Sequence, residues 1–244
     1  MEPLDDPSRL PEIQGVLARK PGLRRLYREF YNRYRECLAA TPAGGGVLEL
    51  GAGAGFAREA IPEIIASDVL PYAGLDLVAD GTRLPFADGA LRLICMTNVF
   101  HHIPDAAAFL AEASRCLKPG GRMLIIDQHP GLISGPILKF AHHEPFRPDA
   151  EQWAFATSGP LSGANGALAW VVFVRDRGRF EGRFPELELV RYRPHTPLRY
   201  WLCGGLKNWC LLPGWAFPLA TAVDGVLSAW PRLGSFVDVE LVRR

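Results

Sequence analysis

The sequence predicts an α/β protein built on a mostly parallel sheet. Short apolar runs recur between turn and helix signals, none alternates cleanly between apolar and polar, and a helix-period segment precedes them. Strands of a parallel sheet read this way because helices cover both faces.

The helix comes first. Leu23, Leu26, Tyr27, Phe30, Tyr34 and Leu38 recur at spacings of three and four, which gives one buried stripe, until Thr41-Pro42 and three glycines stop it. The strands follow as VLEL at 47–50, IIAS before Asp68, LDLVA before Asp80, LRLICM before Thr97 and RMLII before Asp127. Between the last two, AAAFLAEASRCL at 106–117 reads as a helix, closed by Lys-Pro-Gly-Gly at 118–121. Only VLPYAG, 69–74, separates the second and third strands, too short for the helix that normally crosses between parallel strands. Further strands are expected at 167–174 (ALAWVVFV), 186–193 (ELELVRYR) and 235–242 (SFVDVELV). The organisation read from this is an N-terminal helical segment at 1–42, a nucleotide-binding core at 43–128, and the remainder of the sheet with an acceptor-side or lid segment at 129–244.

Composition narrows the function classes. Lys and Arg number 27 against 26 acids, so the +1 formal charge gives no reason to expect nucleic acid. The five cysteines are scattered and never spaced CxxC, which argues against a disulfide framework or a thiolate zinc site and fits a reducing cytoplasm. MEPLDDPSRLPE lacks the basic start and apolar core of a signal peptide. The longest uncharged apolar stretch, 209–223, has 15 residues and is interrupted by Pro213, Gly214 and Pro218, so no membrane span is expected.

The chemistry concentrates in VLELGAGAG, 47–55. In an open α/β sheet the first strand-to-helix turn is the usual ligand contact, and glycine lets a ligand lie against bare backbone. A dinucleotide fingerprint would need glycine where Phe56 stands, and a phosphate-cradling loop would need a lysine after Gly55. Glu49 repels pyrophosphate further and points to an ammonium or sulfonium ligand.

These residues resemble the first motif of the class I S-adenosylmethionine-dependent methyltransferases, of the type 11 kind: an acid, then GxGxG after the first strand. LPF followed by an Asp-Gly turn, FHHIPD at 100–105 and RCLKPGGRMLIID at 115–127 also resemble that family's pattern, and the similarity covers roughly 47–129. The resemblance implies a Rossmann-like fold of the class I methyltransferase type and S-adenosyl-L-methionine as cofactor. It implies Glu49, Gly51, Gly53 and Gly55 at the cofactor's amino-acid part, Asp68 at the ribose and Asp80 at the adenine, with Gly81 and Asn98 completing the set.

A methyl on a sulfonium is already activated, so transfer is an in-line displacement that needs alignment and a deprotonated nucleophile. Five of the six histidines lie between 101 and 143, after the fourth and fifth strands. His101 and His143 are the candidate bases for an acceptor hydroxyl. His-His-Glu-Pro at 142–145, with His129, could ligate a metal, but adjacent histidines in an extended chain point apart, and no metal is expected.

The acceptor side is read from two features. Arg19, Lys20, Arg24, Arg25, Arg28, Arg33 and Arg35 surround the aromatic stripe, either as a solvated face or as a site for anionic headgroups. Trp201, Trp209, Trp215 and Trp230 stand in a nearly uncharged C-terminal stretch that reads as a folded lid or a membrane contact. The expectation is methyl transfer at oxygen to a small-molecule or lipid-linked acceptor, by a cytoplasmic protein for which an anionic membrane surface is a candidate partner. A nicotinamide-dependent oxidoreductase and a catalytically degenerate binding module are the alternatives.

Overall fold

Helix α1 (Leu10–Arg19) and helix α2 (Pro21–Ala39) are separated by a single non-helical residue, Lys20, because Pro21 starts α2 with its fixed φ and restricts the residue before it. This computed structural model describes residues 6–159 and 161–244, so the first five residues of the N-terminal stretch read above lie outside the described residues. Of the expected stripe Leu23, Leu26, Tyr27, Phe30 and Tyr34 are buried on α2 and Leu38 partly so, and Tyr31 and Cys37 join them.

The strands are β1 (Gly46–Leu50), β2 (Ile65–Asp68), β3 (Leu77–Val78), β4 (Leu91–Thr97), β5 (Leu117–Gln128), β6 (Leu187–His195) and β7 (Phe236–Arg243). They form one seven-stranded sheet in the order β3-β2-β1-β4-β5-β7-β6. Neighbours among β1 to β5 are parallel, and β7 runs antiparallel to both β5 and β6. The sheet is Rossmann-like, and chain order reverses between β1 and β4, which opens a crevice at their carboxyl ends.

Two layers close the sheet. On one face, α3 (Ala106–Cys116) and the helical stretch near residue 170 pack with Leu48, Ile94, Met96 and Ile125. On the other, α2 packs on Val47, Leu93, Leu124 and Ile126.

Three local outcomes matter. The link from β2 to β3 has no helix, as its length predicts. The link from β1 to β2 also lacks a full helix: only a 3-10 turn, Ala57–Glu59, follows the glycine loop, so the expected strand-to-helix turn is a strand-to-turn corner. Only nine residues, 56–64, lie between the glycine loop and β2, and Pro62 among them ends any helix at the preceding residue. The strand expected at 167–174 is instead α5 (Leu168–Trp170), continued by a π-helical turn, Val171–Arg175. A short apolar run has no period that separates strand from helix, and here 167–173 is buried apart from the partly covered Trp170, with Val174 exposed at its end. Further along lie α4 (Ser134–Phe140), α6 (Arg177–Arg183), α7 (Arg199–Leu202) and α8 (Phe217–Leu227).

Candidate cofactor and acceptor site

The glycine loop leaves β1 at the crevice. Gly51 has φ +66°, and a Cβ there would collide with Val99, which follows β4. Gly53 N–H donates to Asp68 Oδ2 at 3.0 Å, and Asp68 Oδ1 accepts the Leu70 N–H at 3.1 Å. A Cβ on Gly55 would stand 2.7 Å from both the Ala52 carbonyl and the Tyr31 hydroxyl, so the loop is wedged against α2. Asp68, expected at a ribose, here props the loop from below. Burial raises its pKa, and the Leu70, Gly53 and Val69 backbone N–H groups act against that rise.

Glu49 lies inside the sheet, paired in register with Ala66 of β2 and Cys95 of β4. Burial and the neighbouring Asp68 carboxylate raise its pKa to about 8. The Arg58 charge acts against that rise without cancelling it, so the acid at the head of the motif is a buried carboxyl that a cationic ligand would stabilise in its ionised form.

Asp80 is exposed after β3, and its Oδ1 accepts both the backbone N–H and the hydroxyl of Thr82 at 2.8 Å. Gly81 packs close to the Phe109 ring. Asn98 has φ +57°, an uncommon conformation for a non-glycine residue. Its N–H donates to Ile126 O at 2.9 Å, and its side chain bonds to Tyr27. Tyr34 bonds to Thr97 Oγ1 at 2.6 Å. The tyrosines of α2 thus end on the crevice, a role the sequence reading did not assign. The signal was present: the stripe carries hydroxyls at 27, 31 and 34 where phenylalanine would fill the same space.

The histidines expected as bases meet an acid that sequence reasoning left in the background. His101, in the 3-10 turn Phe100–His102, sets Nδ1 against Asp127 Oδ1 at 2.5 Å and Nε2 against Glu144 Oε2 at 3.2 Å. His102 Nε2 and His143 Nε2 approach Glu144 Oε1 at 3.4 and 3.6 Å, and His142 Nδ1 approaches Oε2 at 3.5 Å. Burial alone would drive the proton from His101, but Asp127 and Glu144 outweigh it and raise the pKa to about 10. His101, expected as a base, thus has both ring nitrogens facing carboxylates. His143 is half exposed at the rim of the same cluster. His129 does not join it, and sets Nδ1 against the Tyr192 hydroxyl at 3.0 Å.

Comparison with known proteins decides what this crevice belongs to. Residues 48–125 match the family described as a methyltransferase domain. That match lies on a sheet with the class I methyltransferase fold. S-adenosylmethionine is the cofactor of such domains. Over 120 residues the chain is 30% identical to the ubiquinone/menaquinone biosynthesis C-methyltransferase UbiE of Desulfotalea psychrophila, covering 41% of this chain and 48% of that protein. It is 32% identical over 126 residues to the demethylmenaquinone methyltransferase of Corynebacterium urealyticum, covering 47% of this chain and 53% of that one. The chain spans about half the length of these curated relatives. Two solved structures share the fold. A methyltransferase from Aquifex aeolicus covers 98% of this chain and 99% of its own at 16% identity, with a TM-score of 0.51. A chain from the complex of the Haloferax volcanii Trm112 methyltransferase activator with a methyltransferase covers 100% of both at 17% identity, with a TM-score of 0.55.

Outside the methyltransferase domain, the basic run of α2 is mostly spent within the molecule. Lys20 is buried, and its Nζ donates to the carbonyls of Cys203 at 2.8 Å, Gly205 at 2.9 Å and Lys207. Arg24 and Arg28 pair with Glu59, and Arg33 with Asp238. Arg25, Arg28 and Arg35 remain exposed, so part of the run faces solvent. The Trp-rich segment divides. Trp201 Nε1 donates to Ser235 Oγ at 2.9 Å, while Trp215 is 83% and Leu219 66% exposed, and Val223, Val226 and Trp230 continue that face at helical spacing. No helix among the described residues is long and apolar enough to cross a membrane. A cavity of about 420 Å³, lined by Pro136, Phe140, Phe146 and Trp170 with Lys139, lies two residues from Glu144 along the chain.

Proposed function

We propose that this protein transfers a methyl group from S-adenosylmethionine to an apolar, lipid-linked small molecule taken from an anionic membrane surface. The observation that carries the cofactor half is the buried Glu49 carboxyl beside the glycine loop, a site for a cation and not for phosphate. Gly51, Gly53 and Gly55 would hold the amino-acid end, Asp68 the ribose once it shares its bond to Gly53, and Asp80 with Gly81 the adenine. Asn98 would close the site from β4.

Carbon is the atom we assign. The relatives are named for C-methylation and for demethylmenaquinone, and an aromatic ring with an apolar tail suits the cavity beside Phe140 and Phe146. The earlier expectation of oxygen rested on a free histidine base, and His101 is committed to two carboxylates.

The membrane half rests on α8. Its outward face is apolar, and the exposed charges beside it are basic: Lys207, Arg232, and Arg25, whose guanidinium stands 5.7 Å from the Phe217 ring. Asp224, the one acid of 200–234, is buried against Arg199. Trp and Leu in front of a cationic rim match an anionic interface.

Calorimetric titration with S-adenosylmethionine and S-adenosylhomocysteine tests the cofactor half. Binding of both, weakened at least tenfold by Asp80→Ala with an unchanged melting temperature, supports it; binding of neither rejects it. Turnover of demethylmenaquinone with labelled cofactor tests the acceptor, and labelled product methylated at oxygen would reject the assignment to carbon. Sedimentation with phosphatidylglycerol vesicles tests the surface: Trp215→Ser with Leu219→Ser should abolish binding, and no binding by the unaltered protein at low salt would overturn it.

A further inference from the structure

We infer that His101, His102 and Glu144 form a binding site for one divalent transition-metal ion, with zinc as the reference ion.

The argument begins with the far side of each ring. His101 turns Nδ1 to the Asp127 carboxylate at 2.5 Å, and His102 turns Nδ1 to the Gly163 carbonyl at 3.0 Å. Both partners are acceptors, so both Nδ1 atoms carry the hydrogen. In a neutral ring that leaves the Nε2 lone pair pointing the other way. Both Nε2 atoms point at Glu144, at 3.2 and 3.4 Å, and a carboxylate also presents lone pairs. Three ligand atoms that converge this way can hold a cation in place of the proton that otherwise bridges His101 Nε2 and Glu144. A metal-bound histidine characteristically donates its other ring N–H to a carboxylate or a backbone carbonyl, and one of each is present here.

The local backbone makes the convergence possible. Adjacent histidines diverge in an extended chain, but 101 and 102 lie in a 3-10 turn, and their ring centroids are 4.2 Å apart. One ligand atom from each of His101, His102 and Glu144 lies within 4.8 Å of the others. Charge balance favours the same occupant. Asp127 and Glu144 are two carboxylates facing one buried ring, and a single divalent ion neutralises both.

Gln128 supplies an independent sign. Its side chain is buried, its Nε2 lies 3.2 Å from Glu144 Oε2, and its Oε1 has no hydrogen-bond partner among the described residues. Turned end for end, the amide would bring that oxygen into the cluster as a further ligand. Two imidazoles and a carboxylate suit zinc or its neighbours in the first transition row better than magnesium. His143, half exposed and facing the Glu144 Oε1 that also faces His102, marks the side open to solvent.

The inference stands whether or not methyl transfer is the reaction. The test is metal content and calorimetric zinc titration of the whole chain after stripping with chelator, with cobalt(II) absorption as a spectroscopic readout. One zinc per chain and tetrahedral cobalt bands are expected. His102→Ala should weaken binding at least tenfold, and Asp127→Asn, which acts through His101, by about 10- to 100-fold. His102 is partly exposed, so its loss leaves the fold intact, as circular dichroism would verify. Absence of stoichiometric binding would overturn the site. So would binding unchanged in both His102→Ala and Glu144→Gln, or binding lost only on replacing His142 and His143.

Discussion

Asp68, at the end of β2, accepts a hydrogen bond from the Gly53 backbone N–H at 3.0 Å, so the acid expected to face a ribose also sets the shape of the glycine loop. Its second oxygen takes the Leu70 N–H, which ties the loop to the short link that follows β2. Asp68→Ala frees two backbone donors in a mostly buried place, at a cost of about 1–3 kcal/mol for each donor left unpaired. The variant should melt several degrees lower and bind S-adenosylmethionine at least tenfold more weakly. Asp68→Asn should recover most of the melting temperature and little of the affinity. Thermal melts and calorimetry on the pair separate the two duties, and equal recovery of both would count against the ribose role.

Glu49 should make stability depend on pH in an unusual direction. Its pKa is raised from 4.5 to about 8, so the native state holds a proton that the unfolded chain releases above about 4.5. That contribution is fully present below the unfolded value and is lost as pH rises through 8. Between pH 6.5 and 8 the slope approaches about 1.4 kcal/mol per pH unit for one proton. Glu49→Gln should flatten the loss across this window, as denaturant titrations at pH 6.5 and 8 would reveal. A cationic ligand favours the ionised carboxyl, so S-adenosylmethionine should bind more tightly at pH 8 than at 6.5 and release a proton on binding at pH 7. Calorimetry in buffers of different ionisation enthalpy measures that release directly.

Gly51 and Val99 form a contact pair across the mouth of the crevice. Gly51→Ala places a methyl against the valine and holds alanine at φ +66°, a conformation that costs about 1–2 kcal/mol by itself. Cofactor binding should fall below detection. Adding Val99→Ala should restore part of the stability, because the collision is relieved and the backbone strain is not. A double-mutant cycle on unfolding free energy gives the coupling; additivity of the two changes would show that the contact is unimportant.

Lys20 is the fourth point of test. Its ammonium gathers three carbonyls of 203–207, so Lys20→Met leaves buried acceptors without a donor. A loss of about 1–3 kcal/mol is expected, together with faster proteolysis in the 203–211 stretch. Limited digestion of the two proteins under native conditions tests it.

Much of this architecture was legible in the chain. The five apolar runs from 47 to 126 are the five parallel strands, because a strand buried on both faces must be continuously apolar. The helix at 106–116 announced itself by period, with Asp105 as its cap. The run at 167–174 did not, because an unbroken apolar stretch, buried over most of its length, lacks the period that distinguishes a helix from a strand. The cofactor loop was legible because glycines and one acid at fixed spacing have few other uses. The histidine cluster was only half legible. His101, His102, His142 and His143 stood out by type, but Asp127 and Gln128 are the last two residues of a strand, and nothing local in a sequence says that two chain segments will meet at Glu144.

The corner after Gly55, where a 3-10 turn stands in place of a helix, changes what counts as the smallest self-sufficient piece of this molecule. With no crossover helix there, the sheet face beside the glycine loop is roofed by α2, whose Tyr31 and Phe30 belong to the same apolar cluster as Val47 and Ile126. A fragment begun at residue 43, where the strand pattern starts, would carry every residue of the glycine motif and yet expose the underside of its own sheet to water. For anyone cutting this protein down for expression, or grafting its cofactor loop elsewhere, the helix upstream is part of the floor plan.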